Sequence, residues 1–280
     1  MTDIVLPQVV FTDLDGTLLD LDTYSFAPAL PAVQALLNRG VPIVFCSAKT
    51  RSEQEVYRQQ MMTRDPFIVE NGGCIFIPEG YFPFEFQYDR VADGYILIEL
   101  GTPYREIREA LKRLKAEKDF NLRGFGDMSV EEVAAITGLD LEMARRARQR
   151  EYSETLTEAN GPLKVEQALE ALTEVGLNWT HGGRFYGVMG SNDKGRAASI
   201  LIELFKRKLG RIRTVGLGDS LNDLPLLAAV DTPILVQKPQ GSWEKVELPN
   251  LRLVTGVGPV GWKRAIAEFV LTDTPEQGGP

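Results

Sequence analysis

The sequence predicts an α/β protein: a doubly wound parallel sheet with helices on both faces, interrupted by an inserted α+β domain. Short β-rich runs alternate with helical patterns near both ends of the chain, and that alternation builds parallel sheets. The middle breaks the alternation, with helices and strand candidates in no regular order. A length of 280 residues suits one large domain or two ordinary ones, and 44% hydrophobic with 25% charged residues supports a real core.

Gln8–Thr12 is the first β-rich run. A helix from about Ala29 follows, and Gly40 suits its C-terminal stop. Val41–Cys46 (VPIVFC) is the second run, followed by a polar helix over Arg51–Met61. Phe67–Val69 is the third, leading through ENGGC into a hairpin at Ile75–Ile77. The pattern returns at Lys194–Lys208, where Ala198, Leu201, Ile202 and Phe205 form a helical stripe. Ile212–Leu217 and Pro233–Val236 read as strands around a helix at Leu221–Ala229; Leu251–Thr255 is a further strand candidate, and Gly258–Leu271 a closing helix.

The division expected is a core of residues 1–80 and 190–280 around an insertion of residues 81–189. The insertion carries a strand at Tyr95–Leu100 and helices at Pro103–Ala116, Leu139–Arg150 and Pro162–Val175. Its other strand candidates are Tyr152–Leu156, Asn178–His181 and Arg184–Val188. The tail Thr272–Pro280 is polar and rich in Pro and Gly, and reads as frayed.

A formal net charge of -8 argues against nucleic acid or an anionic membrane as partner. An anionic substrate then needs a locally positive site. Cys46 and Cys74, the only cysteines, make neither a metal spacing nor a disulfide framework, which fits a reducing, cytoplasmic compartment. No stretch is long and apolar enough to span a bilayer, and no signal peptide is visible. A monomer or homodimer is expected.

Four motifs carry chemistry. In VVFTDLDGTLLD (Val9–Asp20) an apolar strand stops at two aspartates. Residues two apart on a strand point the same way, so Asp13 and Asp15 face one point at the edge where open α/β sheets bind ligands. An Asp-rich turn is the plainer alternative. In VGLGDSLNDLPLL (Val215–Leu227) a second strand runs into Asp219, with Asn222 and Asp223 close behind. A helix cap explains one acid there, not two with an Asn. Two Asp clusters at two strand ends make an oxygen site of the kind magnesium takes. Ser47 ends the second strand beside Lys49 and Thr50, either to hold a phosphate oxygen or to cap the next helix. Lys194 opens a long helix, where a cation is unfavourable for the dipole, which suggests a compensating task; a solvated surface lysine is the plainer alternative.

Taken in order, the D-L-D-G-T-L, Ser, Lys and G-D-S-L-N-D segments resemble the haloacid dehalogenase (HAD) superfamily of phosphotransferases, over Val9–Gly73 and from Ser191 onward. The resemblance implies a Rossmann-like core with a large α/β cap. It makes Asp13 the nucleophile that forms an aspartyl-phosphate and Asp15 the acid and then the base. It has Mg²⁺ held by the Asp13 carboxylate, the Asp15 carbonyl and Asp219, with Asp223 supporting the metal shell. Ser47 and Lys194 take phosphate oxygens, and Thr17 fixes Asp15 and the turn. Closure of the cap is implied, with hinges near Gly73–Tyr81 and Met189–Ser191.

The segments RGFGDMSVEEVAAITGL, RQREYSETL and THGGRFYGVMGSNDKGRA, with SAKTRSE and FIVENGG, look like the mannosyl-3-phosphoglycerate phosphatase family. That implies a small phosphorylated glycoside as substrate, hydrolysed to mannosylglycerate, a compatible solute, and phosphate. Arg150 or Arg184 then forks onto the carboxylate. Gly182 and Gly183 offer close backbone N–H groups, while Glu70, Asn71, Glu151 and Glu154 suit sugar hydroxyls. Lys49, Thr50 and Asn222 complete the expected contacts. His181, the single histidine, is a ligand candidate by its place before Gly182, against the plainer reading of a packed residue. Arg145, Arg146 and Arg148 read as a solvated face. The aromatic stretch Tyr81–Gly94 and the pair Tyr186-Gly187 depart from the expected pattern and leave room for a glucosyl or broader preference. A sugar phosphomutase, a general sugar-phosphate or nucleotide phosphatase and a non-catalytic binding module are the rival readings.

Overall fold

The computed structural model describes residues 6–118, 122–157, 162–182 and 185–272. Its first part contains β1 (Gln8–Thr12), α1 (Leu30–Asn38), β2 (Ile43–Phe45), α2 (Arg51–Met61), β3 (Phe67–Val69), β4 (Cys74–Pro78), β5 (Arg90–Ala92) and β6 (Tyr95–Glu99). The middle contains α3 (Tyr104–Lys118), β7 (Arg123–Gly124), α4 (Val130–Thr137), α5 (Leu141–Ala147), β8 (Ser153–Thr157), α6 (Pro162–Glu174), β9 (Asn178–Gly182) and β10 (Phe185–Met189). The last part contains α7 (Lys194–Leu209), β11 (Arg213–Gly218), α8 (Leu224–Ala228), β12 (Thr232–Gln237), β13 (Arg252–Val257) and α9 (Pro259–Phe269).

The central sheet is parallel, in the order β13-β12-β11-β1-β2. Its inner strands are buried on both faces, as β1 shows, while the edge strand β13 is partly exposed. Val9 and Phe11 join Val44, Leu226 and the α7 residues Ala198, Leu201 and Phe205 in one apolar cluster. Val10 joins Leu36, Tyr57, Trp262 and Ile266 in another. Strand alternation thus sets α1, α2 and α9 on one face and α7 and α8 on the other, which is the doubly wound arrangement expected.

An antiparallel sheet, β3-β4-β6-β5, extends from β2 through a parallel bridge between Cys46 and Ile68. It corrects one expectation. Residues 81–99, assigned to the insertion from sequence, pack on the core: β6 pairs with β4, and Phe82 and Ile96 join the α7 cluster. The aromatic run follows the same surface, with Phe82 5.4 Å from the Phe205 ring and Lys208 3.9 Å over Tyr81.

The remaining sheet, β7-β8-β10-β9, is antiparallel. Leu156 and Val188 bury one of its faces against α3 and α6. At the end of this sheet α4 and α5 pack around Phe125, with Phe185 against them. The sequence reading missed α4. Its signal was present: Ser129 caps the helix and Glu132 bonds back, a reciprocal S-x-x-E box. The helix expected over Leu139–Arg150 is shorter, starting after the Asp140 cap and ending at Ala147.

The chain crosses between the core and this last sheet twice, side by side. Leu100 and Gly101 donate to the Gly73 carbonyl (2.9 and 2.8 Å), and Gly190 packs directly on Thr102. The first crossing is therefore at 100–102, later than the Gly73–Tyr81 segment expected. Most of the polar tail lies outside the described residues. Among the described residues no helix is long and apolar enough to cross a membrane.

Candidate active site

Because β11, β1 and β2 are adjacent and parallel, the loops that follow them open at one edge. Asp13 continues the ladder one residue past β1, donating its N–H to the Leu217 carbonyl (2.9 Å). The chain then turns at Gly16, whose φ of +79° suits glycine. A Cβ there would stand 2.8 Å from Asp219 Oδ2, so the missing side chain also lets the two loops meet. Thr17 donates to Asp219 Oδ1 (3.3 Å), tying the first loop to the second instead of fixing Asp15.

Asp13, Asp219 and Asp223 are all buried and offer carboxylate oxygens within 4.8 Å of one another. Lys194 Nζ lies among them, 2.6 Å from Asp13 Oδ1 and 2.6 Å from Asp223 Oδ1. The cation at the helix start thus has its task, and Asp193 caps α7 by accepting from Arg196 N (2.8 Å). Asp223 is fully committed: its other oxygen accepts from Asp219 N (3.0 Å) and Ser220 N (3.1 Å). It shapes the loop that presents Asp219.

One ammonium faces three carboxylates. Burial, then Asp223, pushes the Asp13 carboxyl up to about 7 against the pull of Lys194. Burial, then Asp223 and Asp13, holds Asp219 well above the usual carboxylate range. Burial opposes the Lys194 charge, but Asp13 and Asp223 outweigh it and hold that group up. An oxygen-only donor set with surplus negative charge suits a hard divalent cation, so these residues fit a magnesium ion. Asp13 and Asp219 have the coordinating capacity, while Asp223 and Lys194 brace them.

The Asp15 carboxylate stands apart from this trio, 3.0 Å from Lys49 Nζ and one-third exposed at 32%. Lys49 is buried, also meets Glu53 (3.4 Å), and lies 4.8 Å over the Tyr24 ring. Ser47 lines the same opening as Asp13, Asp15 and Asp219. A cleft runs from Asp15 and Lys49 past Asn71, Asn222 and Arg150 to the sheet of β8, β9 and β10. Arg150 links the two sides by donating to the Ala48 carbonyl (2.9 Å) and to Ser153 Oγ (3.2 Å). Glu70 and Asn71 both hold left-handed backbone, φ +49° and +55°, a conformation that costs a non-glycine residue about 1 kcal/mol or more.

Several expected contacts do not reach this cleft. Thr50 is the cap of α2, in a reciprocal box with Glu53, and donates to the Arg146 carbonyl (3.0 Å). Glu70 is fully buried and accepts from Glu151 N (2.8 Å), Tyr152 N (3.1 Å) and Ser153 Oγ (2.6 Å). It clamps the loop after β3 to β8. The Glu151 carboxylate turns to Arg51 (3.7 Å). His181 is exposed and rests on the Tyr186 ring, 4.5 Å between centroids. Gly182 ends β9, and Gly183 and Arg184 lie outside the described residues.

Glu154 is also buried away from the cleft. It accepts from Tyr104 (2.8 Å), Arg108 (2.8 Å), Gly126 N (3.2 Å) and Thr155 N (2.8 Å). Glu154→Ala is expected to destabilise the protein by about 2 kcal/mol, because it leaves the Tyr104 hydroxyl and the Gly126 and Thr155 N–H groups without their acceptor, while Arg108 keeps its pair with Asp127. Thermal denaturation checks this; an unchanged midpoint with a raised KM would mean that the carboxylate meets substrate. Sequence reasoning missed Tyr24, Thr155 and Thr180, which line the cleft, and noted Gly187, which lines it too, only as a departure from the expected pattern. Strand alternation was the available signal, but it fixes a face only when the direction of one residue is known.

A family model described as haloacid dehalogenase-like hydrolase matches residues 10–86. Over 266 residues the chain is 42% identical to a glucosyl-3-phosphoglycerate/mannosyl-3-phosphoglycerate phosphatase of Methanococcoides burtonii, covering 95% of this chain and 98% of the relative. The chain belongs to the mannosyl-3-phosphoglycerate phosphatase family of haloacid dehalogenase-like hydrolases. It is a phosphoric monoester hydrolase. A second member of the family, the mannosyl-3-phosphoglycerate phosphatase of Pyrococcus horikoshii, is 43% identical over 229 residues, covering 82% of this chain and 90% of the relative. Solved structures share the fold at lower identity. A Thermoplasma acidophilum protein has a TM-score of 0.69 at 16% identity, covering 96% of this chain and 100% of its own. A Bacteroides thetaiotaomicron phosphatase of the HAD superfamily has a TM-score of 0.65 at 18% identity, covering 97% and 100%.

Proposed function

We propose that the protein is a Mg²⁺-dependent phosphatase that hydrolyses mannosyl-3-phosphoglycerate to mannosylglycerate and phosphate, with the glucosyl compound as an alternative substrate. The observation that carries this reading is the extent of the likeness. A match over 95% of the chain includes the insertion, and in a phosphatase of this architecture the insertion faces the substrate. The glucosyl alternative stands on the double name of that relative. Residues 102–189 act as the cap, and the rest forms the catalytic unit.

In this reading the buried Asp13 carboxylate attacks phosphorus in line and forms an aspartyl-phosphate, while the ester oxygen leaves with a proton from Asp15. Asp15 then takes a proton from water, whose oxygen attacks the phosphorus and frees phosphate from Asp13. Asp15 suits both steps because it is partly exposed and held toward the cleft by Lys49. Lys194 aims Asp13 and keeps one N–H for a phosphate oxygen, and Ser47 offers its hydroxyl to another. When bound by Asp13, the Asp15 carbonyl and Asp219, Mg²⁺ offsets the repulsion between carboxylate and phosphate dianion. Arg150 and Lys49, on the cleft wall, suit the substrate carboxylate.

The test is phosphate release from mannosyl- and glucosyl-3-phosphoglycerate, mannose 6-phosphate and glucose 1-phosphate, with Mg²⁺ and with EDTA. Strong preference for the phosphoglycerates, abolished by EDTA, is expected. Hydrolysis of simple sugar phosphates alone would overturn the substrate, and phosphoryl migration without release would indicate a mutase.

A further inference from the structure

The cap face above the aspartates carries a row of residues that the chemistry just described leaves idle. Gly187 of β10 pairs with Thr155 of β8 on one side and with Thr180 of β9 on the other. The three therefore lie in one line across the sheet. Alternation sends the neighbours Leu156 and Val188 into the apolar cluster with α3 and α6, and the row itself into the cleft. There it shares the walls with Asp15, Asn71, Asn222 and Arg150.

Two features of this row call for a ligand. First, neither threonine hydroxyl is bonded among the described residues and neither is sealed off, so both open into the cleft that the two residues line. A hydroxyl that opens into a cleft is free to donate to and accept from a ligand. Second, Gly187 has no backbone reason to be glycine, since its φ is not among the left-handed ones. A mid-strand glycine weakens the sheet, and one without a turn or bulge marks a close approach. A Cβ at Gly187 would stand 3.3 Å from Thr180 Oγ1, 3.5 Å from Met189 Cε and 3.6 Å from Asn71 Nδ2, so the space left open has polar atoms on two sides and a methyl on a third.

The row is also uncharged. The cations of the cleft, Lys49 and Arg150, and the buried Lys194 suit the anionic end of the proposed substrate. What remains for the row is a neutral group that both donates and accepts, and a sugar hydroxyl does both.

We infer that Thr155, Gly187 and Thr180 form the sugar-recognising surface: the two hydroxyls bond hydroxyls of the hexosyl ring, and Gly187 lets that ring lie against the sheet. The inference rests on the substrate reading above and assigns its specificity to three residues. His181, one residue from Thr180, sits on the other face of β9 and takes no part.

The test compares kcat/KM for the two glycosyl phosphoglycerates with kcat/KM for sugar-free phosphoesters, 3-phosphoglycerate and p-nitrophenyl phosphate. Thr155→Val and Thr180→Val keep shape and remove one hydroxyl each. Each is expected to lower the ratio of glycosylated to sugar-free activity about tenfold, chiefly through KM. Gly187→Val fills the gap with a strand-favouring side chain and is expected to lower the ratio about a hundredfold. Gly187→Ala gives a smaller fall in the same direction. His181→Ala on the opposite face is expected to leave the ratio where it was, and thermal midpoints monitor folding throughout. An unchanged ratio in the threonine variants, or an equal fall in His181→Ala, overturns the inference. A wild-type protein with no preference for the glycosylated compounds overturns the substrate reading itself, and the inference with it, before any variant is measured.

Discussion

Asp13→Asn is expected to abolish phosphate release, with kcat falling by about 10⁴-fold or more, while the protein stays folded. The two effects separate because of how Asp13 is held. Its Oδ1 accepts from Lys194 (2.6 Å), and an amide oxygen in the same place can accept that bond. Its backbone bond to Leu217 does not depend on the side chain. Burial and Asp223 already oppose its charge, raising its carboxyl to about 7. A neutral isostere therefore relieves repulsion within the trio, and the thermal midpoint should hold or rise. An amide, in contrast, is too poor a nucleophile to take a phosphoryl group. Rapid quenching with labelled substrate adds a direct readout: the wild type should trap phosphate on protein, and Asp13→Asn should trap none. A variant that retains turnover would remove Asp13 from the nucleophile's place; one that loses activity and unfolds together would show that the carboxylate is structural.

The core was readable because its chemistry sits where strand and loop meet. An apolar run that stops at Asp13, and another that stops at Asp219, mark two strand ends, and parallel order brings such ends to one edge. Lys194 stood out because a lysine opening a helix goes against the dipole, and the structure answers with two carboxylates. The pairing of Lys49 with Asp15 and the brace from Thr17 to Asp219 join residues of different loops, which spacing along the chain does not reveal.

The cap was less readable, for a definable reason. Glu154 and Thr155 are neighbours on β8, and polar character drew attention to the acid. The sheet turns the acid into a buried network and the threonine into the cleft. The choice depends on strand parity, and parity is set by which face α3 and α6 cover. Glu70 misled for a related reason. A carboxylate in a loop beside the site suggests a ligand, but its oxygens serve the backbone of Glu151 and Tyr152. That clamp also explains how two left-handed residues in succession persist: Glu70 is fixed to β8, and Asn192 donates to the carbonyls of Glu70 and Asn71 (3.3 and 3.2 Å).

Lys194→Met should be the most destabilising single change in the site, by about 3–5 kcal/mol. The side chain is fully buried, and methionine fills much the same volume, so loss of packing contributes little. What is lost is the charge that Asp13 and Asp223 share, leaving three buried carboxylates with no ammonium among them. Asp223 keeps its bonds from Asp219 N and Ser220 N, so its charge is partly met by the backbone. Among the described residues no backbone N–H bonds the Asp13 carboxylate, which suffers more. This asymmetry makes the prediction specific. Adding Asp13→Asn to Lys194→Met should recover a large part of the lost stability, whereas the same substitution in the wild type should change it little. The difference between the two is the coupling of the pair, expected at about 2 kcal/mol or more for groups in direct contact. Denaturant titrations of the four proteins, all without added metal, measure it. Additive effects would mean that Lys194 stabilises the fold through its chain and not its charge, and the electrostatic account of this site would then fail.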